Sequence, residues 1–255
     1  MVSGSARTDH FGRALPVCGE CHSIPNGQYW ISFRGRVVCV RHPVRRRCSF
    51  CFTVTPKPTG WIQLGPETLR CPDCSSGAVD TPELAGRHMR RVRSDLEALG
   101  FGLRNKVRVE VNCFDELQAS SSLPNTVFGL TLHQMTTDQR LGNATLIRVL
   151  KGLPGAHFGM VTVHEAMHAW MGENGVDPAS DQHREGTCDL LAYEWLRRRR
   201  TSFARRVADS MLENPDPIYG EGLRQMVGFC ERGGGPPDIP RSVMAKLAAL
   251  HAQPV

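Results

Sequence analysis

The middle of the chain begins with an apolar pattern at helical spacing. Thr81-Pro82 is typical of an N-cap followed by the first helical residue. Gly100 is typical of the position where such a helix ends. The positions between them that share one helical face, in chain order, are Leu84, His88, Val92, Leu96 and Leu99. The pattern predicts an amphipathic helix from about residue 82 to 99.

Three apolar segments after this helix predict strands. Residues 106–113 alternate between apolar and polar side chains, which indicates a strand with one solvated face. Residues 126–132 and 145–150 are rich in branched apolar side chains and predict two more strands. Residues 115–118 indicate a short helix between the first and second of them.

The remaining chain is helical in pattern. Residues 156–171 and 185–200 predict two long helices, and a third ends within 209–214, before Pro215 and Pro217. Two later helices are expected at 221–231 and 242–252. A small sheet followed by helices predicts an α+β domain over residues 80–255.

The first 76 residues have a different pattern, short strand-like runs between turns. Residues 28–33 and 36–38 flank Gly35 and predict a β-hairpin, and residues 59–64 predict part of a second one. Strict alternation along 28–33 would leave at most about half of its side chains outward-facing. This region is too small for a large apolar core, so it needs another source of stability.

The cysteines supply that source. Seven of the ten lie in the first 74 residues, in a repeat of CxxC, a spacer, then CxxH or CxxC. This spacing predicts two closed tetrahedral zinc sites. Together they form a double zinc module at residues 18–76. The predicted ligands are Cys18, Cys21, Cys39 and His42 in the first site, and Cys48, Cys51, Cys71 and Cys74 in the second.

The strongest chemical signal is the HExxH motif at residues 164–168. Residues four apart share a helical face, so His164 and His168 can direct two imidazoles at one zinc ion. Glu165 lies beside the first ligand, where a carboxylate can take a proton from an attacking water. The motif predicts a catalytic zinc with Glu165 as the general base.

The third ligand has to come from downstream. The metzincin pattern is excluded, because Met171 and Asn174 stand where it requires Gly and His. Glu185 is the preferred ligand, since Asp189 follows it by one turn and can accept a hydrogen bond from a ligand histidine, as in gluzincins. His183 remains the alternative, and Asp177 and Asp181 are the other side chains within reach along the chain.

Composition narrows the class of protein. The formal charge is +6, and the arginine runs 45–47 and 197–200 keep nucleic-acid binding open as a lesser possibility, although solvated helix faces explain them more simply. The sequence contains no stretch of 18 apolar residues, so it predicts no membrane span. The N-terminus lacks the apolar core of a signal peptide, and Cys113, Cys188 and Cys230 have no evident partner. We therefore expect a reducing compartment, the cytoplasm, and a flexible N-terminus at 1–17.

Together these motifs resemble one family, the ubiquitin-activated LIM metallopeptidases that limit organ size in plants, with their shorter bacterial relatives. Three blocks in the same order carry the resemblance: residues 164–170, residues 185–196 from Glu-Gly-Thr-Cys to Tyr-Glu-Trp-Leu, and residues 216–224. The first module ends in Cys39-x2-His42, whereas the first module of a LIM domain usually ends in His-x2-Cys. Five residues separate the two modules here, whereas two residues usually separate them in LIM domains. Only 17 residues precede Cys18, so we expect no ubiquitin-interacting helices.

The resemblance implies a zincin, gluzincin-like peptidase domain behind a LIM-like module, with one catalytic and two structural Zn²⁺. It implies His164, His168 and Glu185 as ligands and Glu165 as base. Tyr219, beside a glycine in the third block, is our candidate donor to the developing oxyanion, or else a core residue. The edge strand that receives substrate is expected at 126–132, and a plain core strand is the equally good alternative for that segment.

We expect protein or peptide substrates, and a ubiquitin-like or other protein partner at the aromatic hairpin around Tyr29, Trp30 and Phe33. Arg34 and Arg36 beside these aromatics give a mixture that is common at protein interfaces. The competing hypothesis is a LIM-type adaptor without catalysis. Glu165 argues against it, because a scaffold would not need a general base.

Overall fold

The computed structural model describes residues 15–44, 46–120, 128–134 and 144–254. Most of the flexible N-terminus predicted at 1–17 lies outside the described residues, as do residues 126 and 127 of one predicted strand. The chain divides into two compact units, Met1–Ser76 and Gly77–Val255. The protein is thus a mixed α/β molecule that begins with a β-rich, cysteine-containing unit.

The N-terminal unit consists of short strands and one helical turn. In chain order these are β1 (Tyr29–Ile31), β2 (Val37–Cys39), β3 (Arg46–Arg47), β4 (Val54–Thr55), β5 (Ile62–Gly65), β6 (Thr68–Arg70) and α1 (Pro72–Ser75). They pair as three antiparallel hairpins, β1 with β2, β3 with β4 and β5 with β6. The two predicted hairpins are confirmed, and β3–β4 was not anticipated because each of its strands is only two residues long.

The first hairpin turns at Gly35, which has φ +79, a conformation that glycine adopts without steric cost. The predicted alternation along its first strand is wrong. Tyr29, Trp30 and Ile31 are exposed by 44%, 46% and 50%. The buried side chains of this hairpin come from its other strand, Val37–Cys39, and neither set of alternating side chains of β1 is buried. Phe33 instead packs edge-on against Phe52, with ring centroids 4.7 Å apart.

The C-terminal unit contains the longer elements. Its strands are β7 (Ala78–Val79), β8 (Lys106–Asn112), β9 (Gly129–Gln134), β10 (Ala144–Leu150) and β11 (Leu153–Pro154). Its helices are α2 (Pro82–Ala98), α3 (Phe114–Ala119), α4 (Gly155–Glu173), α5 (Asp181–Arg197), α6 (Ser202–Leu212), α7 (Tyr219–Glu231) and α8 (Arg241–His251). Every helix expected from the sequence is present, with ends shifted by a few residues.

The main sheet has three strands in the order β8-β10-β9. Strand β10 is central, parallel to β8 and antiparallel to β9, with Thr131 opposite the fully buried Ile147. Among the described residues, β9 is therefore an edge strand of this sheet. A separate two-stranded pair, β7 with β11, leads directly into α4.

Helix α2 begins where its sequence predicts. The Thr81 side chain accepts a hydrogen bond from the backbone N–H of Leu84, and Gly100, just after the helix, has φ +84. The buried face is rotated relative to the predicted one. Ala85 and Met89 are buried with Val92 and Leu96, whereas Leu84 and His88 lie at the margin.

Helices α4 and α5 form the centre of the unit. From Val161 to Met171, every side chain of α4 is buried except His164 and His168, so the helix is apolar nearly all round with one polar stripe. Helix α5 begins at Asp181, four residues before the predicted start, because Ser180 caps it through the N–H of His183. Glu185 consequently lies in the second turn of a formed helix. None of the described helices has the length and apolar character needed to cross a bilayer.

Candidate active site and metal sites

Helix α4 presents its two motif histidines to one point in space. The Nε2 atoms of His164 and His168 lie 3.2 Å apart, as expected for residues separated by one helical turn. Both side chains are partly exposed within an otherwise buried helix. The polar stripe of α4 therefore opens onto a cavity while its other faces hold the helix in the core.

Helix α5 brings the third group to the same point. Oε2 of Glu185 lies 3.1 Å from Nε2 of His164 and 3.3 Å from Nε2 of His168. Burial opposes the charged form of Glu185, but hydrogen bonds and charge from the two histidines outweigh it and lower the pKa of this carboxyl group. Glu185 is thus held as a carboxylate facing both rings.

Asp189 fixes the orientation of the first histidine. Its Oδ1 lies 2.7 Å from Nδ1 of His164, one helical turn after Glu185. Burial opposes the charged form of His164, but Asp189, followed by Glu185, outweighs it and raises the pKa of the imidazole well above its ordinary value. A proton held on Nδ1 by Asp189 leaves Nε2 as the atom available to a metal.

The spacing of these three atoms fits a tetrahedral zinc ion. Zinc bonds to nitrogen and oxygen of about 2.0–2.2 Å imply ligand-to-ligand edges of about 3.3–3.6 Å. The three observed separations run from 3.1 to 3.3 Å. Three protein ligands also leave the fourth position of a tetrahedron open, as catalytic zinc sites require.

A thiol lies close to the same point. The sulfur of Cys188 is within 4.8 Å of the facing nitrogens of His164 and His168. Burial, reinforced by the charges of Glu185 and Asp189, raises the pKa of this thiol well above its ordinary value. A fully buried neutral thiol is a poorer ligand than a carboxylate in contact with both histidines, so Glu185 is the better third ligand.

The alternative ligand considered from sequence, His183, is directed elsewhere. Its Nδ1 lies 2.7 Å from Oδ1 of Asp238, in the segment between α7 and α8. Asp177 and Asp181 both pair with Arg184, Asp177 at 3.5 Å. None of these three side chains joins the group formed by His164, His168 and Glu185, although Asp177 lines the same cavity.

Glu165 points from α4 towards the edge strand. It is buried, and Thr131 Oγ1 lies 2.7 Å from its Oε2 and 2.9 Å from its backbone oxygen. A Cβ atom on Gly129 would lie 2.5 Å from Val161 and 2.6 Å from Oε1 of Glu165, so only glycine fits there. Sequence reasoning missed both residues, because the contact joins segments more than thirty residues apart and no local pattern records it.

A cavity of about 390 Å³ opens over these groups. Its walls come from strand β9, from α4 and α5, and from the start of α7. The residues that line it are Gly129, Leu130, Thr131, His164, Glu165, His168, Met171, Gly172, Val176, Asp177, Arg184, Glu185 and Tyr219. The cavity joins the metal-binding candidates to an edge strand, the arrangement needed to receive an extended peptide.

Tyr219 is the first residue of α7 and lines the same cavity. Its ring centroid lies 6.2 Å from that of His164. Burial, followed by the carboxylates of Glu185 and Asp189, raises the pKa of the phenol, which keeps its proton. Within the part of the chain that the structure describes, no group accepts a hydrogen bond from this phenol, so its O–H is available to a ligand.

A glycine pair sets the distance between α5 and α7. A Cβ atom on Gly186 would lie 2.5 Å from the backbone of Gly222, and one on Gly222 would collide with the backbone oxygen of Gln182. The two helix backbones therefore touch directly, next to Glu185 on one helix and near Tyr219 on the other. Two of the three sequence blocks described above meet at this contact.

The N-terminal unit brings together both predicted sets of zinc ligands, which we call the first and second finger. One group contains Cys18, Cys21, Cys39 and His42, and the other contains Cys48, Cys51, Cys71 and Cys74, with ligand atoms within 4.8 Å in each group. Sulfur separations of 3.9 Å for Cys21–Cys39 and 3.5 Å for Cys51–Cys71 compare with about 3.8 Å across a tetrahedral zinc–thiolate site. Both clusters are compatible with zinc.

Two further observations support metal in the first cluster. Nε2 of His42 is buried and has no hydrogen-bond partner among the described residues, as expected of a ligand atom without its metal. Burial opposes ionisation of Cys18, but backbone N–H groups, that of Cys39 first, lower the pKa of its thiol to about 6. The site is thus prepared for a thiolate ligand.

The arginine run at 197–200 is largely committed to contacts within the chain. Arg197 and Arg198 pair with the buried carboxylate of Glu194 at 2.9 and 2.6 Å. Arg199 pairs with Asp95 and stacks on Trp195, 3.8 Å from the ring centroid. This run therefore stabilises the end of α5, which removes much of its value as a nucleic-acid signal.

Comparison with known proteins gives a consistent set of relatives. Residues 100–214 match the family model described as "DA1-like: Protein DA1". Protein DA1 of Arabidopsis thaliana is 26% identical over 226 residues, covering 72% of this chain and 42% of that protein. Protein DA1-related 7 of the same plant is 32% identical over 232 residues, covering 76% and 41%.

A rice protein extends the set. The LIM domain-containing protein HDR3 of Oryza sativa subsp. japonica is 26% identical over 198 residues, covering 64% of this chain and 39% of its own length. The chain spans about two fifths of the length of these curated relatives. No solved structure matches the chain. The matched region at 100–214 contains the motif histidines, Glu165 and Glu185, and these comparisons support a relationship of the chain to the DA1-like family.

Proposed function

We propose that the chain is a zinc-dependent endopeptidase with a gluzincin-like, zincin-type catalytic domain. The observation that carries the proposal is the convergence of His164, His168 and Glu185 within 3.3 Å, beside the carboxylate of Glu165. A zinc ion held by these three groups would act as a Lewis acid on a peptide carbonyl and on the attacking water. Asp189 would hold His164 in the tautomer that binds the metal.

The remaining groups have distinct tasks in this proposal. Glu165 accepts a proton from the attacking water and returns it to the leaving amine. Tyr219 donates its phenolic proton in a hydrogen bond to the oxygen of the scissile carbonyl, where negative charge develops. The substrate lies extended along β9, an edge strand among the described residues, and pairs with its backbone.

For the N-terminal unit we propose a LIM-like module that binds two structural zinc ions and performs no chemistry. Each finger site has four protein ligands, which leaves no coordination position for water. The exposed side chains of Tyr29, Trp30 and Ile31 support a role in recruiting protein substrates or a regulatory protein, for which a ubiquitin-like fold is one candidate. None of the described cysteines forms a disulfide, which suits a reducing compartment such as the cytoplasm.

A non-catalytic adaptor is the competing function, favoured by that same exposed aromatic surface. It gives no reason for a buried carboxylate beside the two histidines or for a cavity above them. Nucleic-acid binding is less favoured, because much of the basic run at the end of α5 is paired internally. Peptide hydrolysis uses both the buried carboxylate and the cavity.

The test is hydrolysis of an unstructured protein by the zinc-loaded full chain and by Glu165→Gln. The substitution removes the base and keeps the size of the side chain and the metal ligands. We expect kcat to fall by about 10²–10⁴-fold. Equal rates in the two proteins, or no hydrolysis by either across a proteome-derived peptide library, would reject the peptidase and leave the adaptor.

A further inference from the structure

The edge strand does more than border the cavity, because it touches the proposed base directly. Thr131 Oγ1 lies 2.7 Å from Oε2 of Glu165, and the space that a side chain at position 129 would fill is occupied by the same carboxylate. We propose that Thr131 is a positioning residue that orients Glu165 for proton transfer, in a gap that Gly129 keeps open. This inference rests on the proposed function and adds the source of the orientation of the base.

The Thr131 hydroxyl is the sole hydrogen-bond donor to this carboxylate among the described residues. Glu165 is only 7% exposed, so a carboxylate that loses this donor remains mostly buried and poorly solvated. The hydroxyl has one proton, which can go to Oε2 or to the backbone oxygen of Glu165. When Oε2 accepts it, Oε2 becomes the weaker base and Oε1 the better acceptor for a proton from the attacking water. The hydroxyl thus favours one rotamer of the base.

Thr131 is itself held firmly enough to act in this way. It sits within β9, where its backbone pairs with that of Ile147 at the centre of the sheet. Ile147 is fully buried, so the register of this pair is fixed by the core. The Thr131 hydroxyl therefore fixes the orientation of the Glu165 side chain relative to the sheet.

Gly129 makes the approach of strand and helix possible. A methyl group at this position would lie 2.5 Å from Val161, 2.6 Å from Oε1 of Glu165 and 2.9 Å from its Cγ. None of these atoms can yield without moving α4 or turning the carboxylate away. Gly129 and Thr131, two residues apart on the same side of the strand, together define the position of the base.

The kinetic test compares Thr131→Val with Thr131→Ser in the zinc-loaded full chain. Valine keeps the shape and removes the hydroxyl, so we expect kcat to fall about tenfold or more, with KM changed less than about twofold and all zinc retained. Serine keeps the hydroxyl and should recover most of the lost rate. A serine variant as impaired as valine, or valine with unchanged kcat, would overturn the proposal.

The matched control is Thr162→Val. Thr162 is a fully buried threonine of α4, whereas Thr131 is half-buried, and the Thr162 hydroxyl donates to the backbone oxygen of Phe158 at 2.7 Å. Its loss should cost stability with little change in kcat. If Thr162→Val lowers kcat as much as Thr131→Val does, the effect is a general response of α4, and the special role of Thr131 is refuted.

A second measurement does not depend on activity. Thr131→Val should lower Tm by about 2–4 °C, the shift expected for one lost hydrogen bond of about 1 kcal/mol. In a Glu165→Ala background the loss should be clearly smaller, because only the contact with the backbone oxygen remains. Equal losses in both backgrounds would show that the hydroxyl serves the backbone alone, which contradicts the proposal.

Gly129→Ala gives an independent variant with the hydroxyl intact. We expect kcat to fall at least tenfold while zinc remains bound, since the added methyl displaces the carboxylate and not the ligands. Unchanged kcat would overturn the inference. If the wild-type chain hydrolyses nothing, the proposed function fails, and the coupled Tm measurement still decides whether Thr131 orients Glu165.

Discussion

Asp189 shows how much of the site depends on a residue outside the ligand set. It lies 2.7 Å from Nδ1 of His164, on the far side of the ring from the other ligand candidates. It also carries the negative charge that most favours the protonated ring. A partner of this kind fixes both the tautomer and the rotation of a ligand histidine, and so determines where Nε2 points.

We predict that Asp189→Ala lowers the zinc affinity of the proposed catalytic site by about 10–100-fold and leaves zinc binding at the two proposed cysteine-containing sites unchanged. The ring of His164 would be free to rotate, and Nδ1 would lose its acceptor. Competition with a chelator of known zinc affinity measures the change. Retention of all zinc ions with wild-type affinity in the variant would show that Asp189 does not support the metal.

At the scale of elements, the arrangement depends on how closely helices can approach. Helices α5 and α7 touch through Gly186 and Gly222, and this contact brings Tyr219 to the cavity that Glu185 lines. Helix α5 is also tied to the end of the chain. The carboxylate of Glu194, fully buried, pairs with Arg198 at 2.6 Å and with His251 of α8 at 2.8 Å.

We predict that Gly186→Ala destabilises the protein, because the added methyl lies 2.5 Å from backbone that cannot turn away. Overpacking of about 1–3 kcal/mol corresponds to a fall in Tm of several degrees. Gly228→Ala on α7 is the control, since its methyl meets only the mobile end of Arg232 at 3.0 Å. Alanine favours helix over glycine, so that variant should melt at or above the wild-type temperature. Equal losses in both variants would contradict the glycine contact.

We predict that Glu194→Gln lowers Tm at neutral pH, because the buried Glu194 carboxylate is the charged partner of Arg197 and Arg198, which are 27% and 22% exposed. Because solvent reaches both guanidinium groups, the expected cost lies below the value of about 3–5 kcal/mol for a fully buried pair. Burial opposes ionisation of Glu194, but Arg198 and then His251 outweigh it and lower the carboxyl pKa below its ordinary 4.5. A carboxyl group whose pKa is lower in the folded than in the unfolded protein stabilises the folded state at pH values above its unfolded pKa. This stabilisation is lost as the pH falls through the pKa of the folded state.

The Tm difference between wild type and Glu194→Gln should therefore persist from pH 7 down to about 4.5 and shrink below it. Loss of finger zinc in acid affects both proteins and cancels in the difference. A difference that stays constant below this pH, or grows there, would show that the carboxylate charge is not what stabilises the end of α5.

Across the whole molecule, features set by neighbouring residues could be predicted from the sequence, and features set by contacts between distant segments could not. The HExxH histidines and the CxxC and CxxH pairs could be found because the spacing within each pair is local. Glu185 lies on a second helix, 17 residues after His168, so the sequence left it open against His183. The hairpin around Gly35 and the helix capped by Thr81 are local for the same reason. Gly129, Thr131 and the pair Gly186–Gly222 could not be found, because each acts through a contact between distant segments.

Exposure was also poorly predicted, since alternation identifies a buried face only where a second layer covers it. Tyr29, Trp30 and Ile31 have no such layer and remain on the surface. The position of His183 shows a related limit. Its place in the chain suits a ligand, but Asp238, 55 residues away, binds it instead.

We predict that replacing Tyr29 and Trp30 together by alanine lowers kcat/KM for a folded protein substrate and leaves that for a short peptide unchanged. The reason is that a recruiting surface contributes binding and takes no part in bond cleavage. Ile62→Ala, an equally exposed apolar residue in the second finger, is the control. Equal kcat/KM for the protein substrate in all three proteins would show that this surface recruits nothing.

The most direct measurement is the zinc content of the full chain, purified under reducing conditions, beside that of His164→Ala. Eight finger ligands and the group formed by His164, His168 and Glu185 imply three zinc ions per chain. His164→Ala should bind two, because the finger sites lie in the other compact unit. Two zinc ions in both proteins would contradict the central claim that these three side chains form a metal centre.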